Sequence, residues 1–210
     1  MMELKNLSVT EFAAITASDA PAPGGGSVSA LAGSLAAALG EMVARLTVGR
    51  EKYASSQAEM EQIIEAFPPV REKLMHAVDE DSKAFDQYMA ALALPKSTDE
   101  EKISRSAAMQ EGLKAAARVP LGVAKAIDTL FPSLEKAVTI GNPNAVTDGM
   151  VGTMLARTGI LGALFNVRVN LESIKDEAFV AELSAETDAL QKSATGWEHK
   201  ILAQVKLARM

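Results

Sequence analysis

The stretch DAPAPGGGSVSALAGSLAAALG, residues 19–40, decides the expected fold of the chain. Its prolines and three consecutive glycines predict a loop, and the Ala, Leu, Val, Ser and Gly residues that follow predict a long helix. We expect Ser27 to cap this helix, which we extend to about residue 53. Its small residues recur every three or four positions on one face: Ala30, Gly33, Ala37, Gly40 and Ala44. Because a helical glycine costs about 1 kcal/mol relative to alanine, this stripe predicts close approach of another helix.

A second stripe of the same kind follows Thr147, which we expect to cap a helix ending near Leu171. The small residues again step by three and four, and two amides continue the rhythm: Gly149, Gly152, Ala156, Gly159, Ala163, Asn166 and Asn170. We predict that the two striped helices, or copies of them across a dimer, cross closely. The asparagines then mark the point where the packed surface opens into a cleft, or they are ordinary solvent-facing or interhelical amides.

The other segments also favour helices, and no alternating strand pattern occurs. Capping boxes at Ser8–Glu11 and Thr98–Glu101 predict two helix starts. We expect a helix over about 56–67, ended or kinked by Pro68-Pro69, and another to about 92, then a break at 94–96. A helix from 98 bends at Pro120 and reaches about 139, residues 141–144 form a loop, and a last helix covers about 176–207. The sequence therefore predicts an all-α, up-and-down bundle of long helices, one domain over residues 1–210.

Composition excludes several classes of protein. Hydrophobic residues make up 48% of the chain, which allows a core, and the net charge of −6 argues against nucleic-acid binding. There is no cysteine, and His76 and His199 lack ligand spacing, so we expect no disulfide and no metal. The N-terminal stretch lacks a signal-peptide core, and the most apolar run is shorter than the ~20 residues that a span needs. We expect a cytoplasmic chain without a membrane span.

One acidic residue falls on an apolar helix face. The seam consists of Leu74, Val78, Asp81, Phe85, Tyr88 and Leu92, spaced by three and four residues. A carboxylate there is costly to bury, and a raised pKa suits it to proton transfer near neutral pH. Asp81 caps or salt-bridges a neighbouring helix in the alternative interpretation. Asp79, Glu80 and Asp86 lie off the seam and are expected on a solvated face, although a small change of helix phase turns Asp79 inward.

The glycine loop before the first striped helix offers free backbone N–H groups and a positive helix end to an anion or a polar ring. No lysine of a phosphate-binding loop and no preceding strand accompany it, so a nucleotide site is not supported. A plain flexible loop is the alternative. Asp148, Lys96 and Arg105 have equally simple interpretations, as a first-turn acid and two surface cations.

Four segments together resemble the cyclodeaminase domain of formiminotransferase-cyclodeaminase, a family that includes stand-alone bacterial methenyltetrahydrofolate cyclohydrolases. They are APGGGSVSALAGSLAAALGEMVARLTVGREKY (22–53), VDEDSKAFDQYMAALALPKSTDEEK (78–102), MQEGLKAAARVPL (109–121) and GNPNAVTDGMVGTMLARTGILGALFNVRVNL (141–171). They occur in order over nearly the whole chain. The resemblance implies an all-helical, intertwined homodimer that acts on tetrahydrofolate one-carbon derivatives, with no metal or organic cofactor.

The resemblance also implies roles for residues. Asp81 or Asp79 matches the catalytic acid. The residues expected around the folate are Gly24, Gly25, Gly26, Ser27, Lys96, Arg105, Gln110, Asn142, Asp148, Asn166 and Asn170. The asparagines would meet the pterin or the intermediate, and Lys96 and Arg105 the glutamate tail. Thr147 stands where the family leads us to expect Ser, and the sequence contains no formiminotransferase domain.

Three functions remain open at this point. The first is cyclodeamination of 5-formimino-tetrahydrofolate, in which the Asp81 carboxylate accepts a proton from the nucleophile and returns one to the departing nitrogen. The second is hydrolysis of 5,10-methenyl-tetrahydrofolate by the same group. The third is a helical dimer that binds folate without catalysis.

Overall fold

A computed structural model describes residues 3–208 of the chain. That range contains seven α-helices and no strand, which confirms the all-α prediction. The helices are α1 (Val9–Thr16), α2 (Gly25–Arg45), α3 (Gln57–Leu92), α4 (Asp99–Asp128), α5 (Phe131–Ile140), α6 (Val146–Leu171) and α7 (Glu177–Ala203). Short 3₁₀ turns cover Leu4–Asn6, Glu51–Ser56, Pro143–Ala145 and Lys206–Ala208.

Four antiparallel helices, α2, α3, α4 and α6, enclose the core. The start of α2 contacts the second half of α3, where Ser27 bonds to the Val78 carbonyl, and also contacts Asn166 near the end of α6. Asn170 of α6 in turn bonds to Ala116 of α4. Helix α7 packs outside this set on α6 and α4, and the shorter α5 packs mainly on α6 and α2. The predicted up-and-down bundle is therefore confirmed.

The two small-residue stripes face each other within one chain. Every glycine and alanine of both stripes is buried, and the two asparagines that continue the second stripe are partly buried. A Cβ added to Gly159 would lie 2.9 Å from the Ser29 carbonyl oxygen and 3.2 Å from the Gly33 nitrogen. Such contacts leave no room for a side chain, because the two backbones themselves touch. The prediction of a close crossing between these helices is confirmed.

Both predicted capping boxes are present. The Ser8 hydroxyl accepts from the Glu11 N–H while the Glu11 side chain accepts from Ser8, and Thr98 and Glu101 repeat the arrangement. Each box satisfies N–H groups that a helix start leaves without partners. These starts were predictable because the interaction involves only four consecutive residues.

The prolines inside the long helices do not end them. This differs from the helix end or kink expected at Pro68-Pro69, whereas continuation of the helix past Pro120 was predicted. Helix α3 is continuous through Pro68 and Pro69, and α4 continues through Pro120 to Asp128. Proline removes a backbone hydrogen bond, but apolar side chains on both sides of each proline remain buried on the same face. The helix expected to reach about residue 139 is instead interrupted at residues 129–130, and Pro132 lies in the first turn of α5.

Two helix ends also differ from the prediction. The N-cap of α2 is Gly24, not Ser27, and the helix ends at Arg45 rather than near 53. Gly49 shortly afterwards has a φ of 75°, a left-handed conformation that glycine adopts without penalty. Helix α6 begins at Val146, so Thr147 does not cap it, and Asn142 instead caps the preceding 3₁₀ turn.

One side of the α2–α6 pair is apolar and exposed. We call it the exposed apolar face, and it consists of Val28, Leu35, Met42 and Leu46 of α2 with Val151, Met154, Phe165 and Val169 of α6. Leu35 is 48% exposed and Phe165 63%. The bulky residues of α2 adjoin α6, since Leu39 Cβ lies 3.3 Å from the position of a Cβ on Gly152. Contiguous apolar patches of this kind mark interaction surfaces.

By length and composition alone, two helical segments of the described chain are able to cross a membrane: Gly25–Arg45 and Pro143–Leu171. The most apolar windows of these segments are 61% and 44% buried inside the structure, respectively. Core helices pass the same test. The cytoplasmic chain without a membrane span therefore stays a prediction.

Candidate functional site

A cavity of about 210 Å³ opens at the end of the bundle where α2 begins and α6 ends. It is lined by Pro21, Ala22, Gly24, Gly25, Gly26, Asp81, Ser82, Phe85, Tyr88, Ala116, Asn166 and Asn170. Six of these residues, from three distant segments, were expected around the ligand: Gly24, Gly25, Gly26, Asp81, Asn166 and Asn170. Antiparallel packing brings them together, because it places the starts of α2 and the ends of α6 at the same level.

The Asp81 carboxylate lies directly on the first turn of α2. A Cβ added to Gly26 would overlap the carboxylate, so this position accepts only glycine without a shift of the acid. The first backbone N–H groups of a helix have no partner within it and carry partial positive charge. The glycine loop therefore brings the helix start close enough to the acid for its N–H groups to face the same cavity.

Burial raises the pKa of the Asp81 carboxyl from its ordinary value, and hydrogen bonds from the side chain and the backbone of Ser27 partly oppose that rise. The Ser27 hydroxyl lies 3.3 Å from Asp81 Oδ2. No ion pair of the described residues involves Asp81, so no neighbouring cation holds it permanently charged. A carboxyl with a raised pKa is able to accept a proton and return it at a higher pH than an ordinary aspartate.

The two asparagines of α6 are held by backbone carbonyls. Asn166 donates to the Gly162 carbonyl at 2.9 Å. Asn170 donates to the carbonyls of Asn166 at 2.7 Å and Ala116 at 3.2 Å, which uses both of its amide hydrogens. The side chain of Asn170 therefore keeps only its oxygen for a ligand, as an acceptor.

Asp79 does not line the cavity. It is 7% exposed and accepts a hydrogen bond of 2.6 Å from the Leu4 N–H, which fastens the N-terminal segment to α3. Its other oxygen is buried and finds no partner in residues 3–208. The expectation of a solvated Asp79 is therefore wrong, whereas Glu80 and Asp86 are exposed as predicted. Of the two candidate acids, only Asp81 faces the cavity.

Residues 8–189 match the family model described as formiminotransferase-cyclodeaminase. The chain belongs to this family. It is 37% identical to a methenyltetrahydrofolate cyclohydrolase of Methylorubrum extorquens over 96% of this chain and 97% of that protein. It is 40% identical to the formimidoyltransferase-cyclodeaminase of Gallus gallus over 87% of this chain, which corresponds to only 34% of that protein.

A solved structure has the same fold. The formiminotetrahydrofolate cyclodeaminase of Thermotoga maritima superposes with a TM-score of 0.87 and 32% identity, over 99% of this chain and 100% of the other. This chain therefore spans about the whole length of two relatives and about one third of the formimidoyltransferase-cyclodeaminases it matches. The family contains both chemistries that the sequence left open.

Three residues that the family resemblance placed around the ligand lie outside the cavity, on the α3–α4 side of the molecule. Lys96 is exposed in the loop after α3. The Arg105 guanidinium donates twice to the Leu92 carbonyl, at 3.1 Å each, and so completes the end of α3. Gln110 bonds to the backbone of Ser173 and Lys175 and fixes the connection between α6 and α7. None of the three lines the pocket of this chain.

Two further expected residues lie at the opposite end of α6. Asn142 is buried, accepts from the Tyr53 hydroxyl at 3.0 Å and donates to the Leu46 carbonyl at 3.1 Å. At 1.5 Å of rise per residue, α6 places Asp148 about 27 Å from Asn166. Within one chain, therefore, neither Asn142 nor Asp148 shares a cavity with Asp81.

Sequence reasoning missed several residues that line the cavity. Phe85 and Tyr88 were predictable from the sequence, because they lie on the same helix face as Asp81 and line the cavity beside it. No sequence pattern indicated the other four lining residues, which are Pro21, Ala22, Ser82 and Ala116. Ser27, expected at the ligand, is fully buried behind the carboxylate instead. No group of three or more His, Cys, Asp or Glu side chains suited to a metal occurs in the described part of this family member.

Proposed function

We propose that the cavity binds tetrahydrofolate carrying a one-carbon unit and that the protein is a formimidoyltetrahydrofolate cyclodeaminase. One observation carries the proposal: a half-buried carboxylate without a cationic partner lies between a helix N-terminus and two amides in one cavity. Family membership supports the folate class of substrate. The Thermotoga relative, named a formiminotetrahydrofolate cyclodeaminase, supports the reaction.

In this reaction Asp81 moves the protons. N10 attacks the formimino carbon on N5, and the Asp81 carboxylate accepts the N10 proton and passes it to the imino nitrogen. The carbon is then bonded to N5, N10 and an amino group. A second proton from Asp81, replaced from solvent, lets the amino group leave as ammonia with the bonding electron pair. The carbon remains as the cationic methenyl bridge, and such acid–base assistance contributes about 10²–10⁴ in rate.

The two sides of the cavity offer complementary hydrogen-bonding groups to a pterin ring. The first turn of α2 provides N–H donors, which suit the ring carbonyl. The free oxygen of Asn170 provides an acceptor, which suits the ring N–H groups. Rigid walls of small residues behind both sides hold N10 and the one-carbon unit in reach of each other, which lowers the entropic barrier to ring closure.

The second candidate is methenyltetrahydrofolate cyclohydrolase. The observation that favours it is the 37% identity to the Methylorubrum protein of that name over nearly all of both chains. Water attacks the methenyl carbon, and Asp81 accepts one proton from it. That proton passes to N5 as the N5–carbon bond breaks, and the remaining hydroxyl proton is lost to solvent as the carbonyl of 10-formyl-tetrahydrofolate forms. The same acid, cavity and orientation of the ring serve both reactions.

Absorbance of methenyl-tetrahydrofolate tests both candidates. We expect the purified chain to form this product from 5-formimino-tetrahydrofolate. We expect Asp81→Asn to bind folate but to have a kcat about 10²–10⁴-fold lower than wild type. Asp86→Asn is the control, because Asp86 is an exposed acid on the same helix. Decay of added methenyl-tetrahydrofolate alone would favour the cyclohydrolase. Folate binding without any turnover by the wild-type chain would contradict both enzymes and favour a non-catalytic folate-binding dimer. Full activity of Asp81→Asn would instead contradict the catalytic role of Asp81.

We also propose that two copies of the chain associate through the exposed apolar face. Bulky residues run along both helices of this face from Val28 to Leu46 and from Val151 to Val169. Apolar surface of this extent gains free energy when it is removed from water. A second copy of the same chain offers a face of matching length and chemistry, as an isologous dimer requires.

The mass of the protein in solution tests this association. Leu35→Glu places a charge in the middle of the face, and we expect it to shift the mass measured by light scattering from dimer to monomer. Ile103→Glu is the matched control, because Ile103 is 71% exposed on α4 and lies outside the face. A monomeric wild-type chain, or a Leu35→Glu variant that remains dimeric, would overturn the proposed interface.

A further inference from the structure

Ser27 lies behind the catalytic carboxyl rather than in the ligand cavity. It is the third residue of α2 and has no solvent exposure, and it does not line the pocket. Its hydroxyl lies 2.9 Å from the Val78 carbonyl oxygen, 3.3 Å from Asp81 Oδ2 and 3.5 Å from the Ser82 hydroxyl. A ligand in the cavity therefore meets Asp81 before it reaches Ser27.

The Ser27 hydroxyl has one hydrogen and three neighbouring oxygens, of which the Val78 carbonyl and the Asp81 carboxylate are the two nearer ones. When Asp81 is ionised, the hydroxyl hydrogen gains most by pointing to the carboxylate, because hydrogen bonds to a charged acceptor are the stronger ones. When Asp81 is protonated, its O–H can donate to the Ser27 oxygen while the Ser27 hydrogen points to the Val78 carbonyl. Rotation of one hydroxyl therefore satisfies both protonation states without movement of any heavy atom.

We propose that Ser27 is a positioning residue for proton transfer, whose rotating hydroxyl holds the Asp81 carboxyl over the start of α2 in both its charged and its neutral state. The inference rests on the proposed function, and it assigns Ser27 a part in the chemistry without contact to the substrate. Two groups lower the pKa of Asp81, and both belong to Ser27: its side-chain hydroxyl and its backbone.

Few other titratable groups face Asp81. Tyr88, also on α3, is the other titratable side chain that lines the cavity, and α2, α4 and α6 contribute only glycine, alanine and neutral amides to it. The charged residues nearest along the other helices have partners elsewhere. On α4, Lys114 pairs with Asp176 and Arg118 lies over the Phe179 ring, and on α6 Arg168 pairs with Asp188. Loss of the Ser27 hydroxyl is therefore not compensated by a neighbouring charge.

The chain contains a matched serine two turns further along α2. Ser34 is also buried, and its hydroxyl donates to a carbonyl of α3, that of Arg71, at 3.2 Å. Both serines bind α2 to α3 by the same type of bond. They differ in that Ser27 also reaches a carboxylate, so a comparison of the two separates packing of the helices from control of the acid.

The experiment compares Ser27→Ala, Ser34→Ala and wild type. The readouts are the pH dependence of kcat and the carbon-13 NMR titration of the Asp81 carboxyl, assigned with Asp81→Asn. We expect Ser27→Ala to move the Asp81 titration, and the limb of the kcat profile that requires the ionised acid, to higher pH by about one to two pH units. We expect Ser34→Ala to leave both where they are. Ser27→Cys has a weaker donor of similar shape, and we expect its Asp81 titration to lie between those of wild type and Ser27→Ala. It replaces Ser27→Ala if circular dichroism shows that the alanine variant does not fold.

The outcomes separate this inference from the proposed function. An unchanged Asp81 titration in Ser27→Ala, or an equal shift in Ser34→Ala, overturns the role of Ser27. Absence of folate turnover in wild type overturns the proposed function alone, because the NMR titration reports on the Ser27–Asp81 pair without any substrate. A shift of the titration with a matching shift of the kcat profile supports both.

Discussion

The two ends of helix α2 each lie beside an acidic side chain, and the two acids have different partners. Near its C-terminal end, Glu41 is 8% exposed and is held by Arg45 at 2.7 Å and Arg71 at 3.3 Å. At its N-terminal end, Asp81 lies on the helix with a serine hydroxyl and backbone N–H groups but no cation. The two arginines occupy both oxygens of the Glu41 carboxylate, which makes it a structural element. The absence of such a partner leaves Asp81 free to change its protonation state.

The asparagines repeat this difference. Asn142, at the Glu41 end, has its oxygen and its amide nitrogen bound by Tyr53, Asn144 and the Leu46 carbonyl. Asn170, at the Asp81 end, has its nitrogen bound and its oxygen free. Polar groups at one end of the bundle are thus fully used by the fold, while those at the other end keep capacity for a ligand. This difference distinguishes a structural polar cluster from a binding site made of the same residue types.

The largest expected effect is that of a substitution at Gly26, against which the Asp81 carboxylate lies. Gly26→Ala adds a methyl group where the Asp81 carboxylate lies, so the acid must move away from the start of α2. We expect kcat to fall by about 10²-fold, since small displacements of a reacting group have effects of that size. Steady-state kinetics on the folate substrate measures the loss.

Gly122→Ala is the control for that variant. Gly122 lies inside α4, and an added Cβ meets nothing within 4 Å. We expect unchanged kcat and a gain in stability of about 0.5–1 kcal/mol from the better helix former. Wild-type turnover in Gly26→Ala would show that catalysis does not require contact between the Asp81 carboxylate and the start of α2. The difference between the two ends of α2 would then be unrelated to catalysis.

A smaller effect is expected from removal of one asparagine at each end. Asn142→Ala leaves the Leu46 carbonyl, the Tyr53 hydroxyl and the Asn144 N–H without their partner, and we expect it to lower the free energy of unfolding by about 2–3 kcal/mol. Activity per folded molecule should not change. Urea denaturation and kinetics on the same preparations provide both numbers.

Asn170→Ala should show the reverse pattern. We expect KM for the folate to rise by about tenfold and the free energy of unfolding to fall by about 1 kcal/mol, because the lost bonds are at a half-buried position. Equal losses of stability in the two variants, with KM unchanged in both, would contradict the proposed difference between them. Asn170 would then have a structural role like that of Asn142.

The smallest effect is on stability as a function of pH. The pKa of Asp81 is raised in the folded state, so its contribution to stability is fully present below the ordinary value and is lost as pH rises through the raised one. Asp81→Asn has no such loss. We expect its stability relative to wild type to increase in denaturant titrations as pH rises above the ordinary pKa of an aspartate.

Glu41→Gln is the comparison, since it removes the same charge at the other end. We expect it to destabilise the fold by about 1 kcal/mol near neutral pH, because it deprives two partly exposed arginines of their acceptor. A relative stability of Asp81→Asn that is constant or decreasing with pH would mean that the acid is not held in an unfavourable charged state.

Features that depend on neighbouring residues in sequence were predictable. The capping boxes at Ser8 and Thr98 need only four consecutive residues, and the small-residue stripes need only a helical period. The placement of Asp81 on the apolar seam followed from the same period. The pairing of both stripes within one chain then brought Gly25 and Asn166 together.

Features that depend on distant backbone groups were not predictable. Sequence does not show that Arg105 bonds to the end of α3, or that Asn142 is enclosed by residues some ninety positions earlier. Pro68 and Pro69 argued for a helix end, but buried side chains on both sides keep α3 continuous. Ser27 looked like a cap because its local surroundings suit one, whereas Gly24 takes that place and Ser27 supports the acid.

The fixed amide of Asn170 implies a test of chemical selectivity. With both hydrogens given to carbonyls, this side chain is unable to turn and offer a hydrogen to the ligand. A ring analogue that presents a lone pair or a methyl group there meets an oxygen that repels it, whatever its fit elsewhere. Inhibitors of this pocket should therefore keep a hydrogen at that edge, and the tautomer that a heterocycle prefers in water becomes the property by which to rank them.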